Sequence, residues 1–197
     1  QNWLQKDVYL YFGSIRSAMY VWINGKKVGY CQGSKTPAEF KINDYIKSSN
    51  NTISLQIFRY SDGTYLEGQD YWKMSGIERK ALVYALPKLK IKDYFIKSTL
   101  TDNYKNGLLS VNAKIENNNP KKIRNYHLQT KLVKLKQNQT IYENSKYFSL
   151  FGKETRRIKF QTSIENVKKW SAETPNLYQL IVNLKHNQKI IDREDEF

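Results

Sequence analysis

The sequence has little that could cross-link the chain or bind a transition metal. Among 197 residues there are one cysteine, Cys31, and two histidines, His127 and His186. A single cysteine cannot form an intrachain disulfide, so we expect burial of apolar side chains to stabilise the fold. Neither histidine belongs to a cluster with metal-ligand spacing, and one thiol cannot complete a thiolate site.

Long apolar runs and targeting signals are also lacking. No run approaches the roughly 18 to 20 apolar residues that a membrane-spanning helix needs, so we expect no membrane partner. The chain starts Gln1-Asn2-Trp3, and no signal peptide can be read from it. The compartment, cytoplasmic or periplasmic, stays open.

No glycine-rich phosphate loop or nucleophile elbow is present, so nothing supports independent catalysis.

Basic residues are abundant, and the formal net charge is +15. Clustered lysines and arginines would give sequence-independent affinity for phosphate. Here they are scattered along the chain, and several alternate with apolar residues as the outer face of a strand does. We therefore expect these charges to face water and no nucleic-acid partner to bind.

Strand-forming residues dominate the composition. Aromatic residues make up 14% of the chain, with 15 tyrosines against two methionines. Because β-branched and aromatic residues favour strands, the composition predicts an all-β protein. The length allows one large domain or two small ones of about 100 residues each.

The first part of the chain contains a run of predicted strands. Residues 8–12 and 18–23 are apolar and aromatic, and Asn24-Gly25 after the second run is a strong hairpin signal. Residues 43–46 are expected to form a short turn of helix capped by Asn43. A continuous apolar strand at 81–86 ends at Pro87, so we place the domain boundary between residues 88 and 89.

The second part, residues 89–197, contains about seven short strands separated by turn signals. This spacing predicts an immunoglobulin-like sandwich. The stretch 167–178 is expected to be a loop that Trp170 and Tyr178 pin to the sandwich.

The most unusual stretch is residues 59–76, which follow a strand that alternates apolar and polar residues at 52–58. Asp62-Gly63 is a turn signal. After this turn, Glu67, Gln69 and Asp70 stand among aromatic residues. This combination suits a sugar ligand, because aromatic rings stack on the C–H face of a sugar and carboxylates bind the sugar hydroxyls. The alternative is a loop whose aromatic residues cover the end of a core.

Three motifs carry a family resemblance. Tyr65-Leu-Glu-Gly-Gln-Asp-Tyr-Trp-Lys-Met-Ser-Gly-Ile77, preceded by Arg59-Tyr-Ser-Asp-Gly63, resembles the signature of β-galactosidases of glycoside hydrolase family 2. Val21-Trp-Ile-Asn-Gly-Lys-Lys-Val-Gly-Tyr30 is similar to part of the family's sugar-binding jelly-roll domain. Trp170-Ser-Ala-Glu-Thr-Pro-Asn-Leu-Tyr178 is similar to a segment near the end of its first immunoglobulin-like domain. The motifs occur in family order and together span the chain.

The resemblance implies an architecture and an activity. It implies a sugar-binding jelly roll at residues 1–88, truncated on its N-terminal side, and an immunoglobulin-like domain at 89–197. In the family a TIM barrel with two catalytic glutamates follows, so this chain is expected to be inactive alone. The parent enzyme is expected to bind and hydrolyse terminal β-galactosides through that barrel and to be a homo-oligomer, and the truncated chain is expected to self-associate.

Asp70 is the one site residue that the resemblance assigns. The matching family aspartate contacts galactosyl hydroxyls and helps to hold a monovalent cation, so Asp70 is expected to bind substrate and sodium. No cofactor is expected in this fragment, whereas sodium and magnesium are implied for the parent. Five other residues of the loop are expected to have structural roles. Arg59, Glu67 and Gln69 are expected to shape it, and Tyr65 and Trp72 are expected to be aromatic anchors.

The chain departs from the family pattern at several positions. Cys31, Gly33, Gly68 and Lys73 replace the commoner residues, and none of them coincides with Asp70. Two alternatives therefore stay open beside a β-galactosidase. One is a sister activity, β-glucuronidase or β-mannosidase, and the other is a stand-alone module that binds glycans or proteins.

Overall fold

The computed structural model describes residues 3–70 and 72–196. The chain divides into two compact units, residues 1–86 and 87–197. Nearly all the regular structure within the described residues is strand, in agreement with the predicted all-β class.

The N-terminal unit consists of short strands, one turn of 3-10 helix at Trp3–Gln5 and one short helix. The elements are β1 (Asp7–Phe12), β2 (Ile15–Arg16), β3 (Ala18–Ile23), β4 (Lys26–Gln32), β5 (Ala38–Lys41), β6 (Ile53–Phe58), α1 (Gly63–Leu66), β7 (Gly76–Ile77) and β8 (Ala81–Leu86).

Two antiparallel sheets form this jelly-roll sandwich, with strand orders β5-β1-β8 and β4-β3-β6, and β2 pairs with β7 in a small third sheet. Successive side chains of a strand point to opposite faces. In β1 the residues Val8, Leu10 and Phe12 are therefore buried, whereas Tyr9 and Tyr11 between them are only half-buried. The inward faces of β1 and β3 supply most of one continuous apolar core.

The predicted hairpin at Asn24-Gly25 is confirmed. Asn24 has a φ of 52° and Gly25 a φ of 78°, as both central positions of a type I′ turn require. The Asn24 side chain also donates a hydrogen bond to the Tyr45 carbonyl at 2.8 Å. This bond connects the hairpin to the segment after β5.

The prediction that Asn43 caps a helix is wrong. Residues 43–45 form a hydrogen-bonded turn and not a helix. The Asn43 side chain accepts a hydrogen bond from the Val8 amide at 2.9 Å and donates one to the Lys6 carbonyl at 2.7 Å. The start of β1, which is distant in sequence, thus provides better partners for this amide than the local backbone does.

The C-terminal unit contains seven strands, most of them longer than those of the first unit. They are β9 (Leu89–Thr101), β10 (Asn106–Asn117), β11 (Ile123–Lys134), β12 (Gln139–Leu150), β13 (Thr155–Ile164), β14 (Tyr178–His186) and β15 (Lys189–Glu196).

These strands form an immunoglobulin-like sandwich of two antiparallel sheets, with orders β13-β10-β9 and β12-β11-β14-β15. The core lies between the sheets and includes Val111, Leu128 and Leu184, each at most 1% exposed. The sequence did not predict β15 as a separate strand. Its run Asp192-Arg-Glu-Asp-Glu196 is charged, and among the described strands it pairs with β14 alone, at the edge of the sheet.

The loop at residues 167–177 is held at both ends, where the Val167 amide donates to the Lys105 carbonyl and the Leu135 amide donates to the Leu177 carbonyl, each at 3.2 Å. Tyr178 is half-buried against the core, and its hydroxyl accepts a hydrogen bond from the Lys168 amide at 2.9 Å, which confirms its predicted role. Trp170 is 63% exposed, so the prediction that it pins the loop is wrong. The loop is closed instead by its own polar contacts, including a hydrogen bond from the Asn176 side chain to the Lys169 carbonyl at 2.9 Å.

No helix in the described part of the chain has the length and apolar character needed to cross a bilayer.

Candidate functional site

The candidate site is the long loop that connects β6 to β7. At its start, the Ser17 amide donates a hydrogen bond to the carbonyl of Phe58, the last residue of β6, at 2.9 Å. At its end, Gly76 lies opposite Arg16 in the β2–β7 pair. Gly76 has a φ of 112°, a conformation that glycine adopts without steric cost. The sandwich therefore fixes both ends of the loop.

The Asp62-Gly63 turn signal marks the start of α1. The Asp62 side chain accepts a hydrogen bond from the Gly63 amide at 3.0 Å. The Thr64 hydroxyl accepts one from the Ser61 amide at 2.9 Å. Gln32 of β4 reaches this turn and donates from its side-chain amide to the Asp62 carboxylate at 2.5 Å. These bonds hold the first half of the loop against β4.

Glu67 points back to the sandwich after the last turn of α1. Its carboxylate accepts hydrogen bonds from the Ser34 amide at 2.9 Å and from the Ser34 hydroxyl. The Ser34 hydroxyl bond is the main reason that the pKa of Glu67 lies below its ordinary value, and the positive charge of Arg16 lowers that pKa further. The prediction that Glu67 shapes the loop is confirmed.

Glu78, just after β7, makes the corresponding contacts for the second half of the loop. Its carboxylate pairs with the Lys35 ammonium at 2.5 Å and accepts a hydrogen bond from the Ser14 hydroxyl at 3.3 Å. The Lys35 hydrogen bond is the main reason that the pKa of Glu78 is lowered, and Arg16 again contributes. The Glu78 amide donates to the Ser14 carbonyl at 3.2 Å.

The tip of the loop, residues 68–75, is exposed wherever the structure describes it. The Asp70 side chain faces solvent, and within residues 3–70 and 72–196 it makes no hydrogen bond or ion pair. Its carboxylate is therefore available to accept hydrogen bonds from a ligand. Among the described residues of the loop, no backbone amide donates to it, although bonding to nearby amides is a structural role that an aspartate in a tight loop commonly takes.

The predicted anchoring roles of Tyr65 and Trp72 are wrong. Tyr65 is 91% exposed and Trp72 is 85% exposed, so neither ring is packed on the sandwich. The contacts that hold the loop to its own unit are polar ones, made by Asp62, Glu67 and Glu78, and they leave the two rings facing outward. For the same reason these two rings do not cover the end of the core, and the third aromatic residue, Tyr71, lies outside the described residues.

The remaining predicted loop residues lie beside these contacts. Arg59 places its guanidinium 5.4 Å from the centre of the Tyr60 ring, a local contact that fits a role in shaping the loop. Gln69 is exposed on the tip. The sequence pattern missed the part played by Ser14 and Arg16, because nothing in their local sequence marks them as buried.

The chain offers little to a metal ion. Among the described residues, no group of three or more histidine, cysteine, aspartate or glutamate side chains is arranged to hold one. Hard cations take several oxygen ligands. Asp70 can provide one carboxylate, so these residues fit the contribution of a single ligand and do not fit a complete cation site. The two histidines lie in β11 and β14, where His186 stacks on Tyr126 and His127 contacts Tyr147.

Family comparisons agree with the two sandwich domains. The family model for the sugar binding domain of glycosyl hydrolases family 2 matches residues 1–87, and a second model, glycosyl hydrolases family 2, matches residues 89–197. The fold and these matches define the class as the β-sandwich domains of a glycoside hydrolase. The chain belongs to glycoside hydrolase family 2.

Curated relatives with similar sequences are β-galactosidases. The β-galactosidase of Priestia megaterium (strain DSM 319 / IMG 1521) is 39% identical over 185 residues, which cover 94% of this chain and 18% of that protein. The β-galactosidase of Clostridium acetobutylicum is 33% identical over 187 residues, covering 94% of this chain and 20% of that protein. The chain thus spans about a fifth of the length of these relatives.

Solved structures support the fold. The β-glucuronidase of Bacteroides uniformis matches with a TM-score of 0.87 at 21% identity, over 99% of this chain and 24% of that one. A glycosyl hydrolase family 2 member from Bacteroides cellulosilyticus DSM 14838 matches with a TM-score of 0.78 at 22% identity, over 97% of this chain and 26% of that one.

Proposed function

We propose that this chain is the non-catalytic N-terminal part of a retaining β-galactosidase and that its β6–β7 loop completes the active site of a TIM barrel. The similarity of the sequence to curated β-galactosidases supports the activity. The observation that carries the proposal is the exposed Asp70 carboxylate, without a partner among the described residues, on a loop fixed at both ends.

The role of Asp70 in this proposal is to bind substrate and not to carry out the chemistry. Retaining glycosidases use two carboxyl groups about 5 to 5.5 Å apart, one as nucleophile and one as acid and base. The proposal assigns that pair to the barrel. Asp70 accepts hydrogen bonds from galactosyl hydroxyls, and such charge-assisted bonds are about twice as strong as neutral ones. If the enzyme binds a monovalent cation such as sodium, Asp70 would provide one of its oxygen ligands.

The test is Asp70→Asn in the full-length enzyme, because asparagine keeps the shape and removes the charge. Losing hydrogen bonds to a charged group costs about 1.5 to 3 kcal/mol, so we expect kcat/KM on a β-galactoside to fall by roughly 10- to 150-fold. Glu173→Asn, at an exposed position of the second unit, is the control and should leave kcat/KM unchanged. An unchanged kcat/KM in Asp70→Asn would remove this residue from the site.

A second candidate is a sister activity, because β-glucuronidase structures share the fold. Their identity to this chain is 21% or lower, against 39% for a β-galactosidase, so the β-galactosidase assignment is the better supported one. Comparing kcat/KM of the full-length enzyme on matched aryl β-galactosides and β-glucuronides separates the two. A preference for the glucuronide would reverse the assignment.

A module that binds glycans without a barrel is the third candidate. Isothermal titration of this chain with galactose and lactose distinguishes it. The proposal expects no binding, because one loop carboxylate cannot enclose a sugar. Micromolar binding by the chain alone would support the module instead.

A further inference from the structure

The two ends of the loop converge on one patch of the N-terminal sandwich. Glu67, before the tip, is held by Ser34, and Glu78, after the tip, is held by Ser14 and Lys35. The two sets of contacts meet at the Ser14 hydroxyl, which shares its single hydrogen between the Ser34 carbonyl, at 2.5 Å, and the Glu78 carboxylate, at 3.3 Å. We name this group of side chains the clasp. It consists of Ser14, Arg16, Ser34, Lys35, Glu67 and Glu78.

The centre of the clasp is buried. Ser14 and Ser34 are completely buried and Arg16 is 2% exposed. The Arg16 charge acts on both carboxylates, since it lowers the pKa of Glu67 and that of Glu78. A buried polar group that loses its partner is costly, and members of such a network depend on one another. Releasing one end of the loop should therefore weaken the contacts at the other end.

We propose that the clasp is a positioning device for Asp70, with Glu67 and Glu78 as its two positioning residues. This inference rests on the proposed function, because it assigns the clasp a role in substrate binding through Asp70. The tip is only eight residues long, and fixing both its ends restricts where the Asp70 carboxylate can lie. A misplacement of about 1 Å at an active site can cost 100-fold in rate, so such a restriction matters.

Coupling between the two ends is tested on this chain by amide hydrogen exchange. Glu67→Gln keeps an acceptor oxygen but removes the charge that Ser34 and Arg16 stabilise. We expect exchange of the Glu78 amide, which donates to Ser14 and does not touch Glu67, to accelerate about tenfold, as loss of one charge-assisted hydrogen bond implies. The matched control is Glu173→Gln, an exposed glutamate hydrogen-bonded to Ser171, and it should leave that rate unchanged.

A second variant tests the coupling in the other direction and at a more exposed position. Lys35 is 45% exposed, so Lys35→Gln should fold. It removes the ion pair of Glu78, and we expect the Ser34 amide, which donates to Glu67, to exchange faster. If each substitution alters exchange only at its own end of the loop, the two ends are independent and the clasp is not a unit.

The positioning role is tested in the full-length enzyme by a double-mutant cycle. If Glu67 acts through Asp70, then Glu67→Gln lowers kcat/KM in the parent but causes no further loss in an Asp70→Asn background. Equal losses in both backgrounds would overturn the positioning role. The two proposals fail separately: an unchanged kcat/KM in Asp70→Asn contradicts the site, while the exchange coupling still reports on the clasp.

Discussion

Replacing Ser34 by alanine removes one hydroxyl from a completely buried position. That hydroxyl donates to the Glu67 carboxylate, while the Ser34 amide keeps its own bond to the same group at 2.9 Å. A hydrogen bond to a charged group contributes about 1.5 to 3 kcal/mol, and the space left by one oxygen atom adds little. We therefore expect Ser34→Ala to lower the free energy of unfolding of the N-terminal unit by about 1.5 to 3 kcal/mol at pH 7.

The assay is urea unfolding followed by tryptophan fluorescence. Trp170 is the one tryptophan of the second unit, so carrying Trp170→Phe in every variant confines the signal to the first unit. Ser48→Ala is the control, because this serine is exposed and lies in the same unit as Ser34. We expect this control substitution to lower the free energy of unfolding by less than about 0.5 kcal/mol.

The effect of Ser34→Ala should depend on pH in a defined direction. The folded-state pKa of Glu67 is lowered, chiefly by the Ser34 hydroxyl. A group with a lowered pKa stabilises the fold above its unfolded pKa, about 4.3 for glutamate, and loses that contribution as the pH falls through the folded value. The difference in free energy of unfolding between wild type and Ser34→Ala should thus have its full value at pH 7 and become smaller at acidic pH. A cost below 0.5 kcal/mol, or one that does not change with pH, would refute the reasoning.

Two further predictions concern packing. Trp72→Ala should change the free energy of unfolding by no more than about 0.5 kcal/mol, because the ring is 85% exposed, and urea unfolding with a loss above 2 kcal/mol would show that the ring is an anchor after all. Leu128→Ala should lower the free energy of unfolding of the second unit by about 2 to 5 kcal/mol, because this side chain is completely buried between two sheets. A loss under 1 kcal/mol, in urea unfolding of a chain that keeps Trp170 as the fluorescent probe of this unit, would contradict the core described.

Most strands could be predicted from local sequence. Alternation of apolar and polar residues is a direct consequence of strand geometry, and β3 with its Asn24-Gly25 turn lies where the pattern predicts. β15 was not predicted, because five consecutive charged residues, 192–196, hide any alternation of apolar and polar residues. Charged side chains are common on edge strands. The Asn43 side chain was misassigned because its partners, Lys6 and Val8, are more than 30 residues away in sequence.

The candidate site could be predicted only in part. The family pattern identified the loop and Asp70, and local chemistry suggested that Glu67 is structural. The orientation of Tyr65 and Trp72 could not be read in the same way, since an aromatic residue in a loop is equally compatible with a covered core and with an exposed surface. The outcome depends on buried groups distant in sequence, Ser14, Arg16 and Ser34, which attract the glutamates and leave the rings outside.

The central claim is that the β6–β7 loop provides a carboxylate that binds the sugar substrate. A crystal structure of the full-length enzyme with a galactoside bound tests this claim most directly. The account predicts an Asp70 carboxylate oxygen about 2.5 to 3.0 Å from a galactosyl hydroxyl, as an O–H···O hydrogen bond requires. It would be contradicted by a bound galactoside whose hydroxyls are all satisfied by other groups, with Asp70 turned toward its own sandwich or into solvent.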